Sequence, residues 1–353
     1  MERDTWIDGS VLRAGAGTEP ADVRPDRWLA EARVKRGDMG KASRTKVDSS
    51  RREKIAAQRA AERRAEQRRR LLIAGGSIIA VIAVVVAFIV VKANSKSSTP
   101  SASSSATLSG SALSSVVSKV TSVPASALDS VGKGGGSVTA TPQPVTGAAA
   151  LTASGKPEML YMGAEYCPYC AAERWSMIVA LSRFGTFSGL TTIHSAVADG
   201  AGSKEPYGNT PTWSFYKSTY TSPYLTFTPV EMQTNAPDAS TGSYTQLQTP
   251  TAAQNAILTK YDAAPYVAAA NAGSIPFIDY GGKYLTVGAS YNPQVLSGLT
   301  WSQIAADLGT PSSPVAKAID GTANYMTAAI CKMTGNQPAS ACTSAVQSLE
   351  ANL

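Results

Sequence analysis

Met159-Leu160-Tyr161-Met162-Gly163-Ala164-Glu165-Tyr166-Cys167-Pro168-Tyr169-Cys170 decides the fold. Its first four residues form an apolar run that predicts a buried strand, and a helical pattern follows the cysteines. A Cys-x-x-Cys at a strand-to-helix junction has a chemical reason for its place. Cys167 falls at the helix N-terminus, where unpaired backbone N–H groups stabilise a thiolate. Cys170 lies one turn on, close enough to close a disulfide. The pattern predicts thiol–disulfide exchange, with Cys167 as nucleophile and Cys170 as the resolving thiol. The redox-active Cys167–Cys170 disulfide would itself be the only cofactor. A purely structural disulfide is the plainer alternative. Zinc is a poorer one, because Cys-x2-Cys combined with Cys331-x10-Cys342 is an unusual ligand spacing, and no metal is expected.

Outward from this stretch, Pro168–Phe184 reads as a helix and Leu190–Val197 as a second strand. That order predicts a parallel strand–helix–strand unit, hence an α/β fold. Asp199–Thr249 is rich in Thr, Ser, Tyr and Pro and reads as an irregular insertion, with Trp213–Tyr216 and Tyr224–Met232 as candidates for short strands. Ser274-Ile275-Pro276-Phe277-Ile278-Asp279-Tyr280, Gly281-Gly282 and Lys283–Gly288 together predict a hairpin. Thr300-x-x-Gln303 has capping-box form, and Ser313-Pro314 offers an N-cap with proline at the first helical position. Helices are expected to close the chain, with a structural bridge between Cys331 and Cys342; the alternative for this pair is a second redox couple. His194, the sole histidine, reads as a strand-end residue, so His-based hydrolysis is poorly supported.

Charge divides the chain. Residues 1–70 carry 19 Lys/Arg and 12 Asp/Glu, whereas the remaining residues carry 13 of each. The entire net charge of +7 therefore sits in the first fifth, and all four cysteines lie in the other part. Between them, Leu71–Val91 holds 21 residues without a charge, about 31 Å as a helix, matching a bilayer core. A buried core helix and a cleaved signal peptide fit this run less well. Nine Lys/Arg in Arg51–Arg70 against Lys92 and Lys96 beyond the span place the N-terminus in the cytoplasm. The cysteines then face an oxidising, extracytoplasmic space. The basic segment is expected to touch lipid headgroups; with no recognition motif beside it, nucleic acid is not an expected partner. The organisation read from this is a basic segment (1–70), a transmembrane helix (71–91), a Ser/Thr/Gly-rich linker (92–148) with a docked helix over 108–131, and a folded domain (149–353).

The order of elements resembles the thioredoxin fold. Ala164-Glu165-Tyr166-Cys167 is similar to the approach to the thioredoxin active site, with Tyr for Trp, and Ile275-Pro276 is similar to that family's cis-proline site. More specifically, GAEYCPYCAAERW (163–175), LSRFGTFSG (181–189), SIPFID (274–279) and GTANYMTAAIC (321–331) resemble the thioredoxin-like, typically membrane-anchored proteins grouped as domain of unknown function 929. The resemblance implies a thioredoxin-like fold with an insertion and C-terminal helices. It implies catalysis by Cys167 and Cys170, an active-site helix opened by Pro168 and Tyr169, and substrate contact by Tyr166, Ile275 and Pro276. The function it points to is a membrane-anchored extracytoplasmic thiol–disulfide oxidoreductase acting on exported cysteine-containing proteins, with a membrane or extracytoplasmic redox partner. A non-catalytic binding or assembly module of the same fold is the rival. Two positions depart from the pattern. Tyr161 stands where thioredoxins carry a buried acid, which makes Glu165 and Glu173 the candidate proton acceptors. Val287-Gly288-Ala289-Ser290 stands where glutaredoxins bind glutathione.

Overall fold

The computed structural model describes residues 107–197, 206–238 and 240–353. The expected basic segment, transmembrane helix and first part of the linker lie outside the described residues. Among the described residues, no helix is long and apolar enough to cross a membrane.

The described chain is a mixed α/β unit. It opens with α1 (Gly110–Thr121) and α2 (Ala125–Val131), divided at Pro124, which has no N–H to continue a helix. Short β1 (Gln143–Pro144) and β2 (Thr152–Ala153) lead to the central β3 (Lys156–Gly163). Next come α3 (Pro168–Leu181), β4 (Thr186–Ser188), β5 (Thr191–His194), β6 (Pro211–Ser214), β7 (Thr219–Thr221) and β8 (Thr226–Glu231). The chain continues through β9 (Gln233–Pro237), β10 (Tyr244–Gln246), α4 (Ala252–Tyr261), β11 (Phe277–Tyr280) and β12 (Tyr284–Val287). It closes with α5 (Trp301–Asp307), α6 (Pro314–Thr334) and the short α7 (Ser344–Gln347).

In the main sheet, β8 pairs parallel with β3, β11 pairs antiparallel with the other edge of β3, and β12 follows β11. The pleat of β3 explains why its apolar run is unbroken. Met159 and Tyr161 enter one core with α3 and α6 residues such as Trp175, Ile319 and Met326, while Leu160 and Met162 enter a second with Phe277, Leu285 and Tyr261. Helices thus cover both faces. Val116, Val120 and Leu128 of the first two helices also enter the larger core. The compact unit therefore starts ahead of residue 149.

The parallel unit differs from the expectation at its second strand. Residues 191–194 pair antiparallel with 211–214 in a separate two-stranded sheet, and β8 is the strand beside β3. Leu190–Val197 is half polar, with Thr191, Thr192, His194 and Ser195. The true partner is disguised by Pro229, tolerated because β8 pairs with β3 alone. The inserted part thus lies between α3 and β8, and the strand candidate at Tyr224–Met232 forms the second central strand. The hairpin forms as read: Tyr280 faces Tyr284, and Gly281 and Gly282 adopt φ of 67° and 72°, values that favour glycine. The capping box at Thr300 and the N-cap at Ser313 form as well.

α6 buries Asp320 completely, and neither carboxylate oxygen has a hydrogen-bond partner among the described residues. Burial pushes this carboxyl up to about 8. A group whose proton is held more tightly in the fold contributes stability that is present below its unfolded value of 3.8 and is lost as pH rises through about 8. The loss runs at about 1.4 kcal/mol per pH unit. Asp320→Asn is therefore expected to flatten the decline in urea-unfolding stability between pH 5 and 8. Parallel declines for the two proteins would rule this out.

Candidate active site

The β3 strand ends at Gly163, the chain turns through Ala164-Glu165-Tyr166, and Cys167 caps α3. Pro168 occupies the first helical turn, where its missing N–H costs nothing. The Cys170 N–H donates to Cys167 Sγ at 3.2 Å, so the N-cap group is the sulfur itself. Both thiols are free, and both are buried, Cys167 with 4% of its surface exposed. Burial alone would raise the Cys167 thiol. Hydrogen bonds from the Cys170 side chain and backbone, together with the charge of Arg174, outweigh it, and the thiol is held below its ordinary value. Cys170 goes the other way: burial, and then the neighbouring Cys167, push it well above the ordinary range. One sulfur is made easy to ionise and the other hard.

The Ile275–Pro276 bond is cis, and the Cys167 thiol donates a weak hydrogen bond to the Ile275 carbonyl at 3.7 Å. The structure thus brings together two stretches more than a hundred residues apart. Gly288 N–H donates to the Pro276 carbonyl at 2.8 Å, tying the turn to the end of the hairpin.

Tyr166 stacks on Tyr244 of β10, with ring centroids 4.1 Å apart and planes 3° from parallel. Tyr169 is exposed and meets Tyr207 edge-on at 6.0 Å. The Ala196 N–H donates to the Tyr166 carbonyl, and the Glu165 N–H donates to that of Gln233. Segments from the inserted part and the β9–β10 hairpin therefore frame the cysteines with aromatic rings.

Glu165 and Glu173 are both buried and both engaged elsewhere. Glu165 accepts from Ser214 Oγ at 2.5 Å, and burial raises its carboxyl. Glu173 accepts from the Ser290 N–H at 2.9 Å and Oγ at 2.7 Å, with burial pushing it up to about 7. Sequence reasoning missed a buried pair whose cation acts on the resolving thiol. Arg174, fully buried, donates through Nε and Nη2 to Glu231 at 2.8 and 2.6 Å, and through Nη2 to the Ala164 carbonyl at 2.7 Å. The signal was available: Arg174 lies four residues after Cys170, on the same helix face. An arginine on a helix buried throughout except at Tyr169 needs an acid.

Cys331 and Cys342 form a disulfide, with Cα atoms 5.7 Å apart. It lies at the far end of α3, where Arg183 Nη2 donates to the carbonyl of Ala341, next to Cys342. Cys170 and Arg183 are separated by about 20 Å at the helical rise. The structure does not bring this bridge to Cys167. Closing a loop of this size stabilises by roughly 3 kcal/mol. His194 ends β5, as the sequence reading expects, and packs its ring 4.3 Å from Trp301. Among the described residues no cluster of ligating side chains fits a metal.

A family model described as "Domain of unknown function (DUF929)" matches residues 146–332, just over half of the chain. The matched part contains Cys167, Cys170, Arg174, Glu231, Pro276 and Cys331. No curated protein and no solved structure matches the chain.

Proposed function

We propose that this chain, which belongs to the family described as domain of unknown function 929, is a thiol–disulfide oxidoreductase working through Cys167 and Cys170. One observation carries the reading. The two free thiols share a helix N-terminus beside a cis-proline turn, with Cys167 biased toward the thiolate and Cys170 away from it. The strand order supports a thioredoxin-like fold: a parallel strand–helix–strand unit, an antiparallel hairpin opened by the cis-proline, and a covering helix.

The Cys167 thiolate attacks a substrate disulfide; a new S–S bond forms and one substrate sulfur leaves with the electron pair and takes up a proton. Cys170 then attacks Cys167, releasing the second sulfur. The substrate is reduced by two electrons and the Cys167–Cys170 pair is oxidised; the reverse sequence oxidises a substrate dithiol. The Ile275 carbonyl and the rings of Tyr166 and Tyr169 lie where an extended substrate would pass. Leu71–Val91 would anchor this domain outside the cytoplasmic membrane, facing exported proteins and a partner that resets the cysteine pair.

Alkylation by iodoacetamide tests the reading. Cys167 of the full chain in detergent is expected to react with a pH midpoint below that of a free thiol, while Cys170 stays unmodified at neutral pH. An unreactive Cys167 from pH 5 to 9 would overturn exchange chemistry. It would favour the second reading, a non-catalytic binding or assembly module, for which the low exposure of Cys167 speaks.

A further inference from the structure

Two buried polar atoms near Cys170 have no partner among the described residues: the Tyr161 hydroxyl oxygen and Arg174 Nη1. Each belongs to a side chain that is fully buried. An unpaired buried hydroxyl is destabilising, so its retention calls for a physical reason. Their placement supplies one. A methyl built on Gly163 would lie 2.2 Å from the Tyr161 hydroxyl and 3.1 Å from Cys170 Sγ. The hydroxyl and the sulfur therefore face the same small space beside Gly163. The guanidinium of Arg174 lies over the Tyr161 ring, 5.9 Å from its centroid. Glu231 fixes that guanidinium through two hydrogen bonds, and β8 carries Glu231 directly opposite Gly163.

Resting on the exchange chemistry proposed above, we infer that Tyr161 and Arg174, the latter held by Glu231, form a seat that stabilises the thiolate of Cys170 during the resolving step. The Tyr161 hydroxyl, unused in the resting fold, donates to the sulfur as charge develops, and Arg174 supplies the opposite charge. The Cys170 proton leaves to water. Cys170 Sγ attacks Cys167 Sγ, the bond from Cys167 to the substrate sulfur breaks, and the departing sulfur regains a proton from water. The proton lost by Cys170 balances the one gained by the departing sulfur, and the electrons stay within the three sulfurs.

The groups facing this space are few. Cys167 and Arg174 come from α3, Tyr161 from β3 and Glu231 from β8; Glu165, in the turn ahead of the helix, feels Glu231 and Arg174. Glu173 is directed to Ser290 instead. Burial opposes ionisation of both thiols but prevails only at Cys170, so a donor and a cation at this point act on the step that most needs them.

The test separates the two steps with 5,5′-dithiobis(2-nitrobenzoate), one equivalent, added to the reduced full chain in detergent across pH 5–9. Attack by Cys167 releases a first chromophore, and resolution by Cys170 releases a second. Tyr161→Phe removes an oxygen that has no partner among the described residues, so the fold is expected to remain. The first release should be unchanged, the second slowed about tenfold or more at neutral pH, and its pH midpoint raised. A second protein, Arg174→Gln with Glu231→Gln, removes the cation without stranding the acid and should also raise the midpoint of the second release. A second release with the same rate and midpoint in all three proteins would overturn the inference. Absence of the first release in the unsubstituted chain would instead overturn the exchange reading on which it rests.

Discussion

Cys167→Ser is expected to abolish reduction of insulin disulfides by the full chain, by roughly 10³ or more, as removal of a nucleophile does. The substitution changes one atom and keeps a group able to cap the helix, since serine is a favoured N-cap residue. The fold therefore stays, and the loss reports chemistry. A hydroxyl does not ionise near neutral pH, and neither the helix end nor Arg174 supplies enough stabilisation to make it do so, whereas the thiol at this position already lies below its ordinary value. Cys170→Ala should behave differently: the first attack proceeds, and the mixed disulfide on Cys167 accumulates because nothing resolves it. The pair of results assigns the two roles. Activity in the Cys167→Ser protein equal to that of the original would eliminate catalysis at this site and leave the binding-module reading.

How much of this was legible in the sequence follows from how local each signal is. The strand–Cys–Pro–Tyr–Cys–helix unit is local, and it forms where Met159–Cys170 placed it. The hairpin was equally readable, because Phe277–Tyr280 and Tyr284–Val287 flank two glycines that a tight turn requires. The second central strand was legible only in part: Tyr224–Met232 reads as a short strand, and β8 forms within it, but nothing local pairs it with β3. Thr226–Glu231 mixes apolar, polar and acidic residues because its two faces meet different surroundings, one of which holds the buried Arg174. Periodicity cannot separate such a strand from a loop. The site divides in the same way. Cys167, Cys170 and Pro276 announce themselves by residue type, and Tyr161 by standing where thioredoxins carry a buried acid, but nothing local pairs Arg174 with Glu231. Their positions beside Cys170 become visible only once β3, α3 and β8 are packed.

Glu231→Ala is expected to be the most damaging single change to stability, by about 3–5 kcal/mol. Arg174 sits on a helix buried throughout except at Tyr169, and its charge is compensated by the two oxygens of Glu231 and by the Ala164 carbonyl. Both side chains of the pair are fully out of water. Removing the acid leaves a guanidinium with no route to solvent, and a cation of this kind does not neutralise by losing its proton. The damage is therefore larger than the attraction between the two charges suggests: the cost is that of stranding one of them. Equilibrium unfolding of the full chain in urea would measure it. Arg174→Gln combined with Glu231→Gln should recover much of the loss, because two neutral amides keep hydrogen bonds and carry no charge to strand. If the single and double replacements proved equally destabilising, packing of side-chain volume rather than charge compensation would hold α3 to β8. In that case the cation beside Cys170 would be incidental to the stability of the site.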